Sequence, residues 1–148
     1  MKRSLNKFIY KTEKEIDTEQ LVGLFNSVNW KISRFPQKLH NAIKNSAYVL
    51  SVWEDIHLVG ILTAAQDRAE SSKKADAFGV NLVVEPNYQG IGIGKKLISD
   101  FLTASNGTIK KLLTTEKDLE GYYAKFGFIS GCTAMFKEED WRWGTQNA

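Results

Sequence analysis

The stretch Asn81 to Phe101, NLVVEPNYQGIGIGKKLISDF, constrains this chain more than any other. "LVV" is apolar and ends in two β-branched valines, as in a buried strand. Pro86 ends that run, and Gly90, Gly92 and Gly94 follow. Ile93, Leu97, Ile98, Phe101 and Leu102 then recur at the spacing of one helix face. A strand that passes through glycines into an amphipathic helix aims the helix dipole and its first N–H groups at the turn, where an anion such as a phosphate can be held. Glycines alone would equally serve a tight strand-to-helix turn.

Two common phosphate loops do not fit. A Walker A loop, G-x-x-x-x-G-K-[ST], read back from Gly94-Lys95 puts Gln89 at its first glycine and Lys96 at its hydroxyl position. A dinucleotide fingerprint, G-x-G-x-x-G, needs glycine at Lys95 or Leu97.

The rest of the chain reads as alternating short elements. "FIYKT" (8–12) is a first strand; Asp17 with Gln20 suggests a capping box for a helix carrying Leu21, Leu24, Phe25 and Val28. "NWKISRFPQ" reads as a loop, and Pro36 opens a second helix with Leu39, Ala42 and Ile43 inward. "AYVLSVWE" (47–54) and "IHLVGILTAAQ" (56–66) form a hairpin, "DRAESSKKAD" a polar connection, and "AFGVNLVVE" (77–85) the next strand. Asn106-Gly107 ends the glycine-led helix, and "TIKKLLTT" (108–115) is a strand. Thr115 and Asp118 box a helix with Leu119, Tyr122, Tyr123 and Phe126 inward, stopped by Gly127; "FISGC" and "TAMFK" close the sheet. The order β-α-α-β-β-β-α-β-α-β-β describes one α+β domain over 1–148, a single sheet with helices on its faces.

The reading that does fit is Q-x-x-G-x-G, in Gln89, Gly90, Ile91, Gly92, Ile93 and Gly94, and it resembles the pyrophosphate loop of the GCN5-related N-acetyltransferase (GNAT) family. "GYYAKFGF" (121–128) is similar to that family's second motif. The resemblance spans 8–136 and implies a mixed, mostly antiparallel, splayed sheet with about four flanking helices in three layers. It implies acetyl-CoA as co-substrate, with its pyrophosphate on Gln89–Gly94 and Lys95. The pantetheine arm then runs along Leu82, Val83 and Val84, where the N–H of Val83 or Leu82 faces the thioester carbonyl. On periodicity alone Tyr122 and Tyr123 are packing residues; the resemblance singles out Tyr123 as general acid to the leaving thiolate. No base is assigned: Asn81 stands where an acid would be convenient, and Asp76 and Glu85 are the nearest carboxylates. Glu85 reads as a solvated strand end.

The implied acceptor site holds Trp30 and Arg34, with Asn81, for an amine substrate. The expected activity is direct acetyl transfer to a primary amine, foremost of a small molecule. The alternatives are a protein lysine or N-terminus as acceptor, or a non-catalytic acyl-CoA sensor. Trp141-Arg142-Trp143 would either cover the pocket or join two chains as a homodimer.

Composition sets the remaining bounds. The net charge of +3 is scattered, which speaks against nucleic acid. No apolar run approaches the roughly 18 residues of a membrane span, and no secretory signal opens the chain. One cysteine, Cys132, allows no internal disulfide, so a reducing cytoplasm is expected. His40 and His57 have no neighbours at metal spacing, so no metal is expected.

Overall fold

The computed structural model describes residues 7–67, 77–106, 110–113, 115 and 117–130. The chain divides into two compact units, Met1–Leu113 and Thr114–Ala148.

In the first unit, β1 (Phe8–Lys11), β2 (Tyr48–Glu54), β3 (His57–Asp67), β4 (Ala77–Val84) and β5 (Lys110–Leu113) lie side by side in chain order. β1 to β4 are antiparallel neighbours, and β5 runs parallel to β4. A parallel pair requires a crossover, and α3 (Ile93–Ala104) supplies it. Helices α1 (Thr18–Ser27) and α2 (Pro36–Lys44) lie between β1 and β2 in the chain.

Side chains along a strand alternate between faces, and here both faces are covered. On one, Leu21, Leu24 and Phe25 of α1 and Leu39 and Ile43 of α2 pack with Val49, Ile61 and Val83. On the other lies α3, whose Phe101 ring stands 5.2 Å from that of Tyr48. Leu97, Ile98 and Phe101 are buried as their spacing predicted, and Leu102 is half-buried. At Gly60 the helix comes so near that a Cβ would meet Val52 Cγ1 at 2.9 Å, the Val83 carbonyl at 3.3 Å and Ile93 Cγ2 at 3.5 Å. The result is the expected α+β architecture, helix over sheet over helix.

Several local expectations are corrected. Asp17 sits at the N-cap of α1 but makes no side-chain capping bond. Its presumed box partner, Gln20, instead accepts the Leu58 N–H at 2.9 Å, because docking α1 against β3 offers it a buried backbone donor. The loop before α2 contains a 3₁₀ turn, Lys31–Arg34. Ala42 faces solvent. α3 ends at Ala104, where the Ser105 hydroxyl and N–H both bond the Phe101 carbonyl; Gly107 lies outside the described residues.

In the second unit, a 3₁₀ turn (Lys117–Leu119) leads into α4 (Glu120–Ala124). Leu119 occupies the N-cap without a side-chain capping bond and is 43% exposed, so neither the Thr115–Asp118 box nor Leu119 as an inward residue holds. The end of α4 follows its sequence closely. Gly127 adopts φ +90°, its N–H bonds the Ala124 carbonyl at 3.0 Å, and the Phe128 N–H bonds the Tyr123 carbonyl at 3.4 Å. These are the two bonds of a Schellman cap, and its usual apolar contact is present as Tyr123 against Phe128, 6.1 Å between rings. Residues 128–130 are not strand, and the remainder of the expected closing pair, with Cys132 and the 141–143 cluster, lies outside the described residues.

The contact at Gly60 yields a test. Gly60→Ala must displace fully buried Val52 or lift α3, a small-to-large change expected to cost about 1–3 kcal/mol. The shift in urea midpoint at unchanged slope measures it.

Candidate active site

The candidate site grows out of the hydrogen-bond parity of β4. Alternate residues of an antiparallel strand direct both backbone groups to the same neighbour. The Glu85 N–H donates to the Val59 carbonyl at 2.9 Å, and the register pairs Val83 with Ile61 two residues back. Val83 therefore spends its N–H and C=O on β3, while Leu82 and Val84 turn theirs to the opposite edge. Ladder parity leaves Leu82, not Val83, as the outward donor of the two expected.

That outward edge is covered only in part. The register of β5 with β4 runs from Ala77↔Lys110 to Val80↔Leu113 and stops there. Among the described residues no strand pairs with the outer edge of Asn81–Val84. This is the splay that the sequence implied. The Val84 carbonyl accepts Gln89 Nε2 at 2.9 Å, which leaves the Leu82 N–H and C=O and the Val84 N–H as a short template for an extended ligand.

The glycine turn begins directly above this edge. Pro86–Tyr88 forms a 3₁₀ turn, and Gly90 and Gly92 take φ +81° and +98°, values that disfavour any side chain. Gly92 is the N-cap of α3 and has no side-chain cap to offer. The first α-helical bond runs from the Lys96 N–H to the Gly92 carbonyl at 3.1 Å. The N–H groups of Gly92, Ile93, Gly94 and Lys95 precede it, the four that a helix leaves without internal partners. Ile93 is 1% exposed, so its side chain anchors the turn in the core and only its N–H can face a ligand. Lys95 is exposed beside this turn. Twelve residues of helix stand behind four N–H groups that donate no hydrogen bond among the described residues, an arrangement whose chemistry suits an anion such as the pyrophosphate of a coenzyme.

A family model described as "Acetyltransferase (GNAT) domain" matches residues 45–130. The chain belongs to the GNAT acetyltransferase family. One relative, an uncharacterized N-acetyltransferase, ycf52, of Pyropia yezoensis, is 32% identical over 84% of this chain and 74% of its own. Two solved structures share the fold. An aminoglycoside acetyltransferase from an uncultured soil metagenomic sample, in complex with sisomicin, superposes with a TM-score of 0.65 at 26% identity, covering 90% of this chain and 97% of its own. A GNAT acetyltransferase of Brucella melitensis, in complex with acetyl-CoA, has a TM-score of 0.65 at 23% identity and covers 83% of each chain.

In this GNAT chain, Gln89 is tied to Val84, two residues past Leu82 on β4, and stands three residues before the N-cap of α3. Asn81 is exposed, on the face of β4 that carries α1 and α2. Trp30 is the N-cap of the 3₁₀ turn between those helices, and Arg34 is its last residue. Trp30 packs edge-on to Phe25 at 5.6 Å yet remains 39% exposed, and Arg34 is exposed. Tyr123 belongs to the second unit. Burial, and then the neighbouring Tyr122, raise its phenol above the ordinary 10.0, so it is held in the protonated, donating form. Glu85 is not a solvated strand end: it is half-buried and its Oε2 lies 2.7 Å from His57 Nε2. That pair was not legible in the sequence, because 28 residues separate its members and neither fits a motif. Among the described residues no group of three or more metal-ligating side chains occurs, and no helix is long and apolar enough to cross a membrane.

The αL geometry at Gly92 is open to a direct test. Gly92→Ala places a Cβ at φ +98°, a strain of about 1–2 kcal/mol. Differential scanning calorimetry should show a fall of roughly 2–8 °C, with weaker coenzyme binding as the helix terminus shifts.

Proposed function

We propose that this GNAT acetyltransferase transfers the acetyl group of acetyl-CoA directly to the primary amine of a small molecule. The observation that carries the proposal is the order of the outward β4 edge, the glycine turn and the start of α3 without a side-chain cap. The Leu82 and Val84 N–H groups would serve an extended arm, and those of Gly92–Lys95 the phosphates that end it.

The coenzyme would supply a thioester, a carbonyl carbon open to attack. The chain's part is to hold and polarise it. The N–H groups of Gly92–Lys95 and the Lys95 ammonium bind the pyrophosphate. The Leu82 N–H donates to the thioester oxygen, where negative charge develops. As the amine nitrogen bonds to the carbonyl carbon and the C–S bond breaks, the Tyr123 hydroxyl gives its proton to the departing sulfur. The amine's surplus proton leaves to solvent, with Asn81 orienting a water, and the Tyr123 phenolate regains a proton from solvent, so that no side-chain base is needed for the balance. Trp30 and Arg34 would receive the acceptor, an aromatic surface beside a fixed cation. A small-molecule amine agrees with the aminoglycoside acetyltransferase that shares the fold, whereas that protein's particular substrate is its own. The reading places the protein in the cytoplasm, where acetyl-CoA is available.

Titration calorimetry with acetyl-CoA, CoA, ATP and NAD tests the cofactor. Micromolar binding of the first two, with no response to ATP or NAD, is expected; no CoA binding would end the proposal. Tyr123→Phe should lower kcat by about 10²-fold or more while leaving acetyl-CoA affinity intact. An unchanged kcat would remove Tyr123 from the mechanism.

The raised phenol also fixes a pH sign. The acid form is kept above pH 10.0, so the alkaline fall in kcat due to Tyr123 lies above that value and is missing in Tyr123→Phe. Stability follows the same sign. Tyr10, Tyr48, Tyr122 and Tyr123 are all raised by burial, so their contribution is complete below pH 10.0 and is lost as pH rises beyond it. Equilibrium unfolding between pH 8 and 11 (roughly the phenol range) checks the second statement.

A further inference from the structure

The phosphate turn has few ties of its own. From Gly90 to Lys95 the described hydrogen bonds include none donated by the turn's own N–H groups, so its position must be imposed from outside. On one side α3 does this, through Ile93 and Leu97 in the core. On the other, the restraints converge on residues 85–89, and two of them reach the same small element.

That element is the tip of the β2–β3 hairpin. Glu54 closes β2, His57 opens β3, and only Asp55 and Ile56 lie between them, with Asp55 at φ 53°. The Tyr88 hydroxyl donates to Glu54 Oε1 at 2.5 Å, and His57 Nε2 meets Glu85 Oε2 at 2.7 Å. The Tyr88 ring is wedged between Phe8 and His57, 6.0 Å from each, and is almost wholly buried. Lys7 pairs with the second oxygen of Glu54. The 3₁₀ turn Pro86–Tyr88 is thus pinned at both ends to one hairpin, by Glu85 just before it and by Tyr88, its last residue. The residue after Tyr88 is Gln89, whose side chain is tied back to Val84.

We infer that Glu54, His57, Glu85 and Tyr88 are positioning residues for the coenzyme: the hairpin tip is a brace that fixes where the turn at Gly90–Gly92 stands relative to the β4 edge. None of the four need touch the ligand. They act by sparing the turn an ordering cost on binding, which an unbraced glycine turn would otherwise meet at that moment. The inference rests on the cofactor reading above, and the two can fail separately.

Tyr88→Phe removes the hydroxyl while keeping the ring. Losing one such hydrogen bond should raise the acetyl-CoA KM and Kd about 3–10-fold. The kcat at saturation and the amine KM should hold near wild type, while the melting temperature falls by only the few degrees that one hydrogen bond is worth. Glu54→Gln keeps an acceptor and should restore most of the affinity that Glu54→Ala loses. Combining Tyr88→Phe with Glu54→Ala should cost less than the sum of the two. Amide hydrogen exchange without ligand provides a readout independent of coenzyme: the Lys96 N–H, which bonds the Gly92 carbonyl of the turn, should exchange several-fold faster in Tyr88→Phe. Faster exchange in a protein that never binds CoA would uphold the brace and end the cofactor reading. Unchanged Kd and exchange in Tyr88→Phe, with CoA bound normally by wild type, would overturn the brace alone. A fall in stability and kcat together at constant KM would overturn it as well, leaving a merely structural contact.

Discussion

Each residue of β4 can direct its backbone to only one neighbour, and the geometry of the first unit follows from how that choice falls. Val83 and Glu85 are committed to β3, which seals the sheet over the core of α1 and α2. Leu82 and Val84 then necessarily face the other way. Had β5 continued past Val80, those groups would be consumed in a second ladder and nothing would remain for a ligand. Among the described residues, the edge left without a strand partner is a consequence of the β4–β5 ladder stopping four residues short of the end of β4.

The second constraint is distance between layers. α3 must begin at the end of β4, dock on the sheet and still keep its first turn open. Gly60 permits the close approach, since its missing side chain is the space that Val52 and Ile93 share. Gly92 permits the sharp entry, since its φ would strain other residues. A glycine on the strand and another at the helix start thus solve two halves of one packing problem. Only the second is conspicuous in the sequence, because the first sits alone inside an apolar run.

Strong local patterns carried most of the fold. The apolar periodicity of 93–101 gave α3 its buried face residue by residue, and Pro36 opened α2 as its ring dictates. Gly127 ended α4 in the cap that its permissive backbone allows. Legibility failed where a polar side chain had a choice of partners. Gln20 could cap its own helix or satisfy a strand N–H brought in by tertiary packing, and the buried backbone donor prevailed. Glu85 reads as solvated only while His57, far off in the chain, is unseen. Of the candidate site, the glycine turn was legible because its chemistry is local. The choice of Leu82 over Val83 was not, because ladder parity is a property of two strands.

The first unit's strands stand in the sheet in the order in which they occur in the chain. Among the described residues every ladder therefore joins consecutive strands. For a chain made from its N-terminus, the β1–β4 meander and its α1–α2 layer can assemble while the remainder is still being synthesised. The phosphate turn and α3 would then arrive onto a surface already in place.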